Sequence, residues 1–332
     1  MKQSLLFFLL LFLFSCNNTK SQYFTNNGLV FGTYYHIIYE SPNGTDLQFE
    51  IENELQRLDM SLSTYKEESV LSKVNTNQTV ELDSLFINVF LRSMQIAEQT
   101  NGAFDPTVAP LVNAWGFGFK KKENVTPQLI DSIKQFVGYK KIKLSNDQIE
   151  KDDKRIMLDF SAIAKGYSVD VIGMLLERLG CENYMVEIGG EVVAKGVNKE
   201  GIDWRIGINQ PKEDETNTST ALQAIVGLKN KALATSGNYR NFYYENGKKF
   251  AHTIDPQNGY PVEHSLLSAT VMANDCMTAD AFATAFMVMG LKKAQELIVN
   301  QSDIDVFLIY ADENGENQIL MSRGFQQYVI YE

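Results

Sequence analysis

Residues 158–170 read LDFSAIAKGYSVD, a stretch that passes from a strand pattern to a helix pattern within a few residues. It predicts a strand that ends at Asp159, a short turn, and a helix that begins near Ala164. The unpaired amides of such a helix start can bind an anion, and Lys165 adds a positive charge beside them. The junction is therefore a candidate phosphate site, although a plain strand-turn-helix with a solvated lysine is the alternative. The stretch is neither a P-loop nor a GxGxxG fingerprint.

A second stretch, residues 278–290, reads TADAFATAFMVMG. In a helix, Asp280 and Thr284 are four residues apart and present their oxygens on one face. A carboxylate and a hydroxyl form part of the oxygen shell that Mg²⁺ prefers, which water and substrate phosphates complete. Alternatively, the alanines of this stretch only permit close helix packing, and Asp280 lies near the helix start for its interaction with the dipole.

Strand and helix patterns mix along the chain without a strict alternation. We therefore predict an α+β fold with mixed or antiparallel sheets and packed helices, in a single domain for which two lobes around a cleft are an alternative arrangement. The predicted strands are 29–40, 141–145, 155–160, 184–196, 204–209, 221–233, 249–254, 267–273, 305–311 and 326–331. The predicted helices are 46–60, 84–100, 126–136, 164–179, 277–289 and 292–300.

The composition of the 332-residue chain excludes one class of partner. Lys and Arg together number 30 against 41 Asp and Glu, so the formal net charge is −11. Nucleic acids are bound through basic surfaces that release counterions, so no nucleic-acid partner is expected. A hydrophobic content of 44% with only 7 prolines predicts an ordered core.

The amino terminus, residues 1–16, reads MKQSLLFFLLLFLFSC. Lys2 precedes the apolar run Leu5–Phe14, which is shorter than the roughly 20 residues of a membrane-spanning helix. We predict a signal peptide over residues 1–15, lipidation of Cys16 because LFSC resembles a bacterial lipobox, a flexible tether over 16–23 and a catalytic domain over 24–332. The protein is then exported and lipid-anchored to a bacterial membrane, facing the periplasm. An uncleaved secreted precursor and a buried hydrophobic helix are the alternatives.

The remaining cysteines, Cys181 and Cys276, form no zinc or iron–sulfur pattern. In an oxidising compartment they either pair in a disulfide or stay as two buried free thiols, and the sequence leaves both alternatives open.

Residues 250–261 read FAHTIDPQNGYP and contain a candidate proton-transfer group. His252 can exchange protons near neutral pH, and Asp255 can orient it or take the proton itself. A hydrolase triad with Ser236 is disfavoured because no nucleophile-elbow motif surrounds that serine. Residues 102–118, GAFDPTVAPLVNAWGFG, contain aromatic side chains that form either core or the wall of a site for a flat ring.

Taken together, these stretches resemble the FAD:protein FMN transferase family, also called ApbE. The resemblance rests on eight segments in the family's order: residues 31–37, 60–75, 102–118, 158–170, 186–196, 235–240, 251–261 and 278–286. It implies a Mg²⁺-dependent enzyme that transfers the FMN portion of its substrate FAD to a threonine of an exported or membrane flavoprotein, such as the flavin-carrying subunits of membrane redox pumps, and releases AMP. An FAD pyrophosphatase that yields FMN and AMP, or a non-catalytic lipid-anchored flavin-binding protein, are the alternative functions.

The resemblance also implies roles for individual residues. Asp280, Thr284 and the carbonyl of Ala162 would hold the metal, and His252 lies where a catalytic histidine is expected. The residues that would contact FAD are Phe31, Tyr65, Ala103, Phe104, Asp105, Asp159, Lys165 and Ile254. Two departures from the family pattern are Phe31, where members often have Met, and Ser161 with Ala162, which replace two glycines.

Overall fold

The computed structural model describes residues 21–118, 122–211, 221–238, 242–245 and 248–330. Its strands are β1 (Gln22–Val30), β2 (Thr33–Ser41), β3 (Ile142–Ser145), β4 (Gln148–Lys151), β5 (Tyr184–Ile188), β6 (Glu191–Lys195), β7 (Trp204–Asn209), β8 (Leu222–Leu228), β9 (Lys231–Gly237), β10 (Phe242–Glu245), β11 (Lys248–Ala251), β12 (Leu266–Ala273), β13 (Asp305–Ala311), β14 (Asn317–Met321) and β15 (Val329–Ile330). Its α-helices are α1 (Gln48–Leu62), α2 (Val70–Asn75), α3 (Ser84–Gln99), α4 (Ala109–Ala114), α5 (Pro127–Lys134), α6 (Ala164–Arg178), α7 (Cys276–Ile298) and α8 (Arg323–Gln326), and a 3₁₀ turn covers Tyr139–Lys141.

The predicted signal peptide, Cys16 and most of the predicted tether lie outside the described residues. Gln22 and Tyr23 already pair with β2, so the ordered domain begins before residue 24 and the predicted end of the tether is wrong.

The main sheet has eight strands in the order β1-β2-β5-β6-β9-β12-β13-β14, and every neighbouring pair is antiparallel. A smaller antiparallel sheet has the order β15-β8-β7. Side chains of the main sheet alternate between two hydrophobic clusters. In β12, Val271 packs with the helices and Met272 packs with the small sheet. In β13, Leu308 packs with the helices and Phe307 packs with the small sheet. The main sheet therefore lies between a helical layer and the small sheet, which confirms the predicted α+β fold.

Helix α3 illustrates why the local sequence predicts its element well. The Asp83 side chain accepts a hydrogen bond from the Phe86 amide at 2.8 Å and so caps the helix start. Phe86 and Phe90 are buried on one face, and Gly102 follows the helix end with a positive φ of 78°.

Five predicted strands differ in the structure. The predicted strands 184–196 and 221–233 each contain a turn, between β5 and β6 and between β8 and β9, and the predicted strand 326–331 begins within α8 and contains only the two residues of β15. The predicted strand 29–40 is a hairpin, because Phe31 and Gly32 form a turn with φ of 52° and 75° between β1 and β2. Residues 155–160 are not a strand, although Leu158 is buried as in a strand. The Leu158 backbone pairs instead with one side chain: Asn75 Oδ1 accepts from its amide at 2.7 Å, and Asn75 Nδ2 donates to its carbonyl at 2.8 Å.

Helix α7 changes direction at Gly290, whose φ of 73° and ψ of 172° are not helical. The imidazole Nε2 of His264 lies 2.7 Å from the Met287 carbonyl at this break. The predicted separation into helices 277–289 and 292–300 matches the break.

Both remaining cysteines, Cys181 and Cys276, are buried free thiols, so the structure has the second of the two alternatives left open by the sequence. Within the described ranges, no helix is long and apolar enough to cross a membrane.

Candidate active site

A cavity of about 1140 Å³ opens between the main sheet, the start of α6, the middle of α7 and the loop after α3. Most of the site residues predicted from the sequence line this cavity: Tyr65, Ala103, Phe104, Asp105, Asp159, Ala162, Lys165, His252, Ile254, Asp280 and Thr284. Segments from distant parts of the chain therefore meet at one place. Phe31 and Asp255 are not part of the lining.

Close contact between α6 and α7 brings the two predicted chemistry-bearing stretches together. A Cβ added at Gly166 would lie 2.7 Å from the Cys276 carbonyl carbon and 2.8 Å from Asp280 Cβ, so only glycine fits there. The Gly166 amide donates to Asp280 Oδ2 at 3.0 Å. This amide belongs to the first turn of α6, where amides have no acceptor within the helix, so Asp280 supplies the acceptor that it needs.

Two carboxylates fix the start of α7. Asp170 on α6 accepts hydrogen bonds from the amides of Cys276 and Met277, both at 2.8 Å. Asp275 caps the helix by accepting from the Thr278 amide at 2.8 Å. Burial raises the pKa of Asp170 to about 7, although the two amides act in the opposite direction. These bonds fix the helical turn that carries Asp280.

The oxygen atoms at this contact fit a hard divalent cation. Asp280 is 3% exposed and supplies a carboxylate, Thr284 supplies a hydroxyl one turn later, and Ala162 supplies a carbonyl. Ser236 Oγ lies 3.0 Å from Thr284 Oγ1 and orients that hydroxyl, which gives Ser236 a role other than that of a triad nucleophile. Within the described ranges, no three His, Cys, Asp or Glu side chains converge to hold a metal, so a cation at this contact would be held by one carboxylate and two uncharged oxygens. Asp280, Thr284 and Ala162 are thus the donor set to consider for Mg²⁺.

Lys165 lies beside these oxygens and pairs with a residue that the sequence analysis did not single out. Its Nζ is 2.6 Å from Glu191 Oε1 and 3.9 Å from Asp280 Oδ1. Burial disfavours the ammonium, yet the two carboxylates keep the pKa of Lys165 above its usual value. Burial also raises the pKa of Glu191 and of Asp280. The only feature of the sequence that points to Glu191 is its position directly after the two glycines of EIGGE, residues 187–191.

Asp105 and Asp159 shape the loops at the cavity wall. Both Asp105 oxygens are occupied: Oδ1 accepts from the Thr107 amide at 2.8 Å and Oδ2 from the Tyr139 amide at 2.9 Å. Burial raises the pKa of Asp105, and these hydrogen bonds oppose the shift. Asp159 Oδ1 accepts from the Ser161 amide at 2.8 Å, and its own amide donates to the Pro106 carbonyl at 2.7 Å. The two loops are thereby held together.

Aromatic side chains line the cavity around His252. The Phe117 ring lies edge-on to His252 with a centroid separation of 6.4 Å and stacks on Tyr243 at 5.2 Å. Ile254 is buried next to this group in a small cluster with Trp115. Tyr65, which is 74% exposed, lies at the cavity edge. This combination of a flat apolar wall and a cation site suits a ligand that has both a ring system and phosphates.

The two predicted site residues outside the cavity have other surroundings. Asp255 accepts hydrogen bonds from the Gln257 amide at 2.8 Å and from Asn258 Nδ2 at 2.7 Å, and so stabilises the turn after His252. Phe31, at the β1–β2 turn, lines a separate cavity of about 510 Å³.

An α+β fold whose deep cavity combines oxygen ligands, a lysine and an aromatic wall defines a nucleotide-binding enzyme. The chain belongs to the ApbE family, whose profile matches residues 31–308. This confirms the resemblance stated from the sequence.

Individual relatives agree with the family match. The chain is 40% identical over 304 residues to the FAD:protein FMN transferase of Haemophilus influenzae, covering 87% of each chain. It is 36% identical over 315 residues to the FAD:protein FMN transferase of Vibrio cholerae, covering 92% of each. Among solved structures, the flavin transferase ApbE from Vibrio cholerae superposes with a TM-score of 0.83 at 34% identity, covering 93% of this chain and 100% of that one.

Proposed function

We propose that the protein is a Mg²⁺-dependent FAD:protein FMN transferase, which attaches FMN from FAD to a threonine of an acceptor flavoprotein and releases AMP. The observation that carries the proposal is the meeting of Asp280, Thr284, the Ala162 carbonyl and Lys165 in one cavity with an aromatic wall, in a member of the ApbE family. The names of the relatives support the same activity.

Asp280, Thr284 and the Ala162 carbonyl would hold Mg²⁺, which neutralises diphosphate oxygens when bound. Lys165 adds a positive charge on the same side of the cavity. The Phe117 wall and Ile254 exclude water from the ring system of FAD and orient it. These residues together fix the diphosphate where an incoming hydroxyl can reach it.

The transfer requires one proton acceptor and one leaving group. His252 accepts the proton of the acceptor threonine hydroxyl, whose oxygen then forms a bond to the phosphorus on the FMN side of FAD. The bond from that phosphorus to the bridging oxygen breaks, and the bridging oxygen leaves with AMP. Atoms and charge balance without any further reactant.

Incubation of the purified protein with FAD, Mg²⁺ and a candidate acceptor tests the proposal. Intact-protein mass spectrometry should find an FMN-sized addition on one threonine, with AMP formed in equal amount. Free FMN as the sole flavin product would instead identify an FAD pyrophosphatase. Bound FAD without AMP would identify a non-catalytic flavin-binding protein.

Substitution of Asp280 provides the matched test of the metal site. Asp280→Asn should lower the transfer rate by about a thousandfold or more, because the one carboxylate of the proposed metal ligands is lost. Glu296→Gln, an exposed change of the same kind on α7, should leave the rate unchanged. Equal rates for the two variants would contradict the assignment of Asp280.

His252→Ala tests the proton acceptor separately. Because His252 acts on the hydroxyl and not on the diphosphate, kcat should fall by about 100-fold or more while KM for FAD stays within about threefold. A rise in KM with unchanged kcat would instead give His252 a role in FAD binding only.

We also propose that Cys16 carries the lipid, a palmitate-containing acyl group, and anchors the exported enzyme to a membrane facing the periplasm. The signal-like residues 1–15 and the LFSC sequence support this location. Flavin-carrying subunits of membrane redox pumps would be acceptors within reach. Cys16→Ser should move the protein from the membrane fraction to the soluble fraction, and an unchanged distribution would refute the anchor.

A further inference from the structure

Glu191 is a buried carboxylate that has no role in the steps above. It is the first residue of β6 and follows Gly189 and Gly190, whose φ values of 63° and 101° form the tight β5–β6 turn. The residue is 3% exposed and lines the active-site cavity. Its Oε2 has no hydrogen-bond partner among the described residues. Because an incompletely paired buried carboxylate is costly, a purely structural role explains it poorly.

Two distances indicate what Glu191 does. Lys165 Nζ is 2.6 Å from Glu191 Oε1, a full charge-assisted hydrogen bond, and 3.9 Å from Asp280 Oδ1, beyond hydrogen-bond distance. The ammonium therefore lies between two carboxylates and is bonded to the one that is not a proposed metal ligand.

The second oxygen of Asp280 is already committed, because Oδ2 accepts from the Gly166 amide at 3.0 Å. Oδ1 is thus the oxygen through which Asp280 can bind a cation. If Lys165 moved to hydrogen-bond distance from Oδ1, it would occupy that oxygen and place a positive charge at the cation position.

We propose that Glu191 is a positioning residue that holds the Lys165 ammonium away from Asp280 and thereby keeps Asp280 Oδ1 open to the divalent cation. The inference rests on the proposed function in placing a metal ion at Asp280. Glu191 also offsets the charge of Lys165, so that the cation meets a site that is net negative and not net neutral.

A double-mutant cycle with Mn²⁺ as the probe separates this role from a simple charge effect. Mn²⁺ affinity is measured by electron paramagnetic resonance titration of the purified protein without FAD. Glu191→Gln should weaken Mn²⁺ binding about tenfold or more, the usual effect of losing a group that orients a ligand. In a Lys165→Met background the same change should weaken binding by no more than about threefold, because no ammonium is left to restrain.

Glu187→Gln is the matched control. Glu187 lies on the same hairpin and lines the same cavity, but its Oε1 accepts from the Tyr34 hydroxyl at 2.9 Å and is not paired with Lys165. Its loss should leave Mn²⁺ affinity within about twofold, although it removes the same charge. Near-ultraviolet circular dichroism of every variant checks that the fold is retained.

Equal effects of Glu191→Gln in the two backgrounds would overturn the inference, since Glu191 would then act through its own charge. The inference would also be overturned if the unsubstituted protein bound no Mn²⁺. It would likewise be overturned if the Glu191→Gln variant bound Mn²⁺ as tightly as the unsubstituted protein. These results are distinct from failure of the proposed function. If Glu191→Gln weakens Mn²⁺ binding only when Lys165 is present, but the protein transfers no FMN, only the transferase proposal is refuted. If the protein transfers FMN, but Glu191→Gln has the same effect with and without Lys165, only the role of Glu191 is refuted.

Discussion

Replacement of Gly166 by alanine tests the helix contact on which the site depends. The added Cβ would overlap the Cys276 carbonyl oxygen and lie 2.7 Å from its carbonyl carbon, where ordinary contact begins at 3.4 Å, so α6 and α7 must separate by about 1 Å. Overpacking of this kind costs about 1–3 kcal/mol, and weakening the bond from the Gly166 amide to Asp280 adds about 1.5–3 kcal/mol. We expect the free energy of unfolding in urea to fall by about 2.5–6 kcal/mol.

Gly173→Ala on the same helix is the matched control. Its Cβ would meet the Tyr184 hydroxyl at 3.1 Å and Val193 Cγ1 at 3.3 Å, which are side-chain atoms that can shift. The gain of about 0.5–1 kcal/mol in helix propensity offsets that crowding, so its stability should stay near that of the unsubstituted protein. Transfer by Gly166→Ala should also fall about 100-fold, because α6 carries Lys165 and α7 carries Asp280 and Thr284, and their separation moves these groups apart. Equal stability and activity of the two variants would refute the reasoning.

Three further predictions concern residues around α7. Ser236→Ala removes the hydroxyl 3.0 Å from Thr284 Oγ1 and should weaken Mn²⁺ binding about tenfold in the resonance titration, whereas unchanged affinity would contradict its orienting role. Burial raises the pKa of Asp170 from 3.8 to about 7, so the folded protein holds a proton that the unfolded chain releases, and stability should fall as the pH rises through this window. In urea unfolding, the stability of the Asp170→Asn variant should not show this fall with pH. Parallel plots of stability against pH for the variant and the unsubstituted protein would contradict the prediction. His264→Ala removes the group 2.7 Å from the Met287 carbonyl and should cost about 1–3 kcal/mol of unfolding free energy, and an unchanged unfolding free energy would contradict this role.

Elements with strong local signals were predicted closely. The predicted strand 204–209 coincides with β7, the predicted strand 305–311 coincides with β13, and the predicted helix 84–100 extends one residue beyond α3. Their periodicity and their end signals lie within the element itself. Residues 155–160 show the limit of this reasoning: their alternating burial is that of a strand, but the backbone of Leu158 is satisfied by the distant side chain of Asn75.

The same distinction holds for the site. Asp280 and Thr284 could be paired from the sequence because helical spacing fixes their relation. The partner of Lys165 could not, because Glu191 belongs to a different hairpin and reaches it only through the packing of α6 on the main sheet. The position of Phe31 likewise depends on a turn in which a residue other than glycine adopts a positive φ, for which the sequence gives no clear signal.

The burial of both cysteine thiols provides native reporters of local opening. Cys276 lies at the first turn of α7 and Cys181 shortly after the end of α6, and burial raises the pKa of the Cys181 thiol to about 11 and that of Cys276 well above its usual value. Neither reacts with an alkylating reagent while it is enclosed. Mass spectrometry of alkylation with time therefore measures how often each end of the helix pair opens, with no label introduced into the protein.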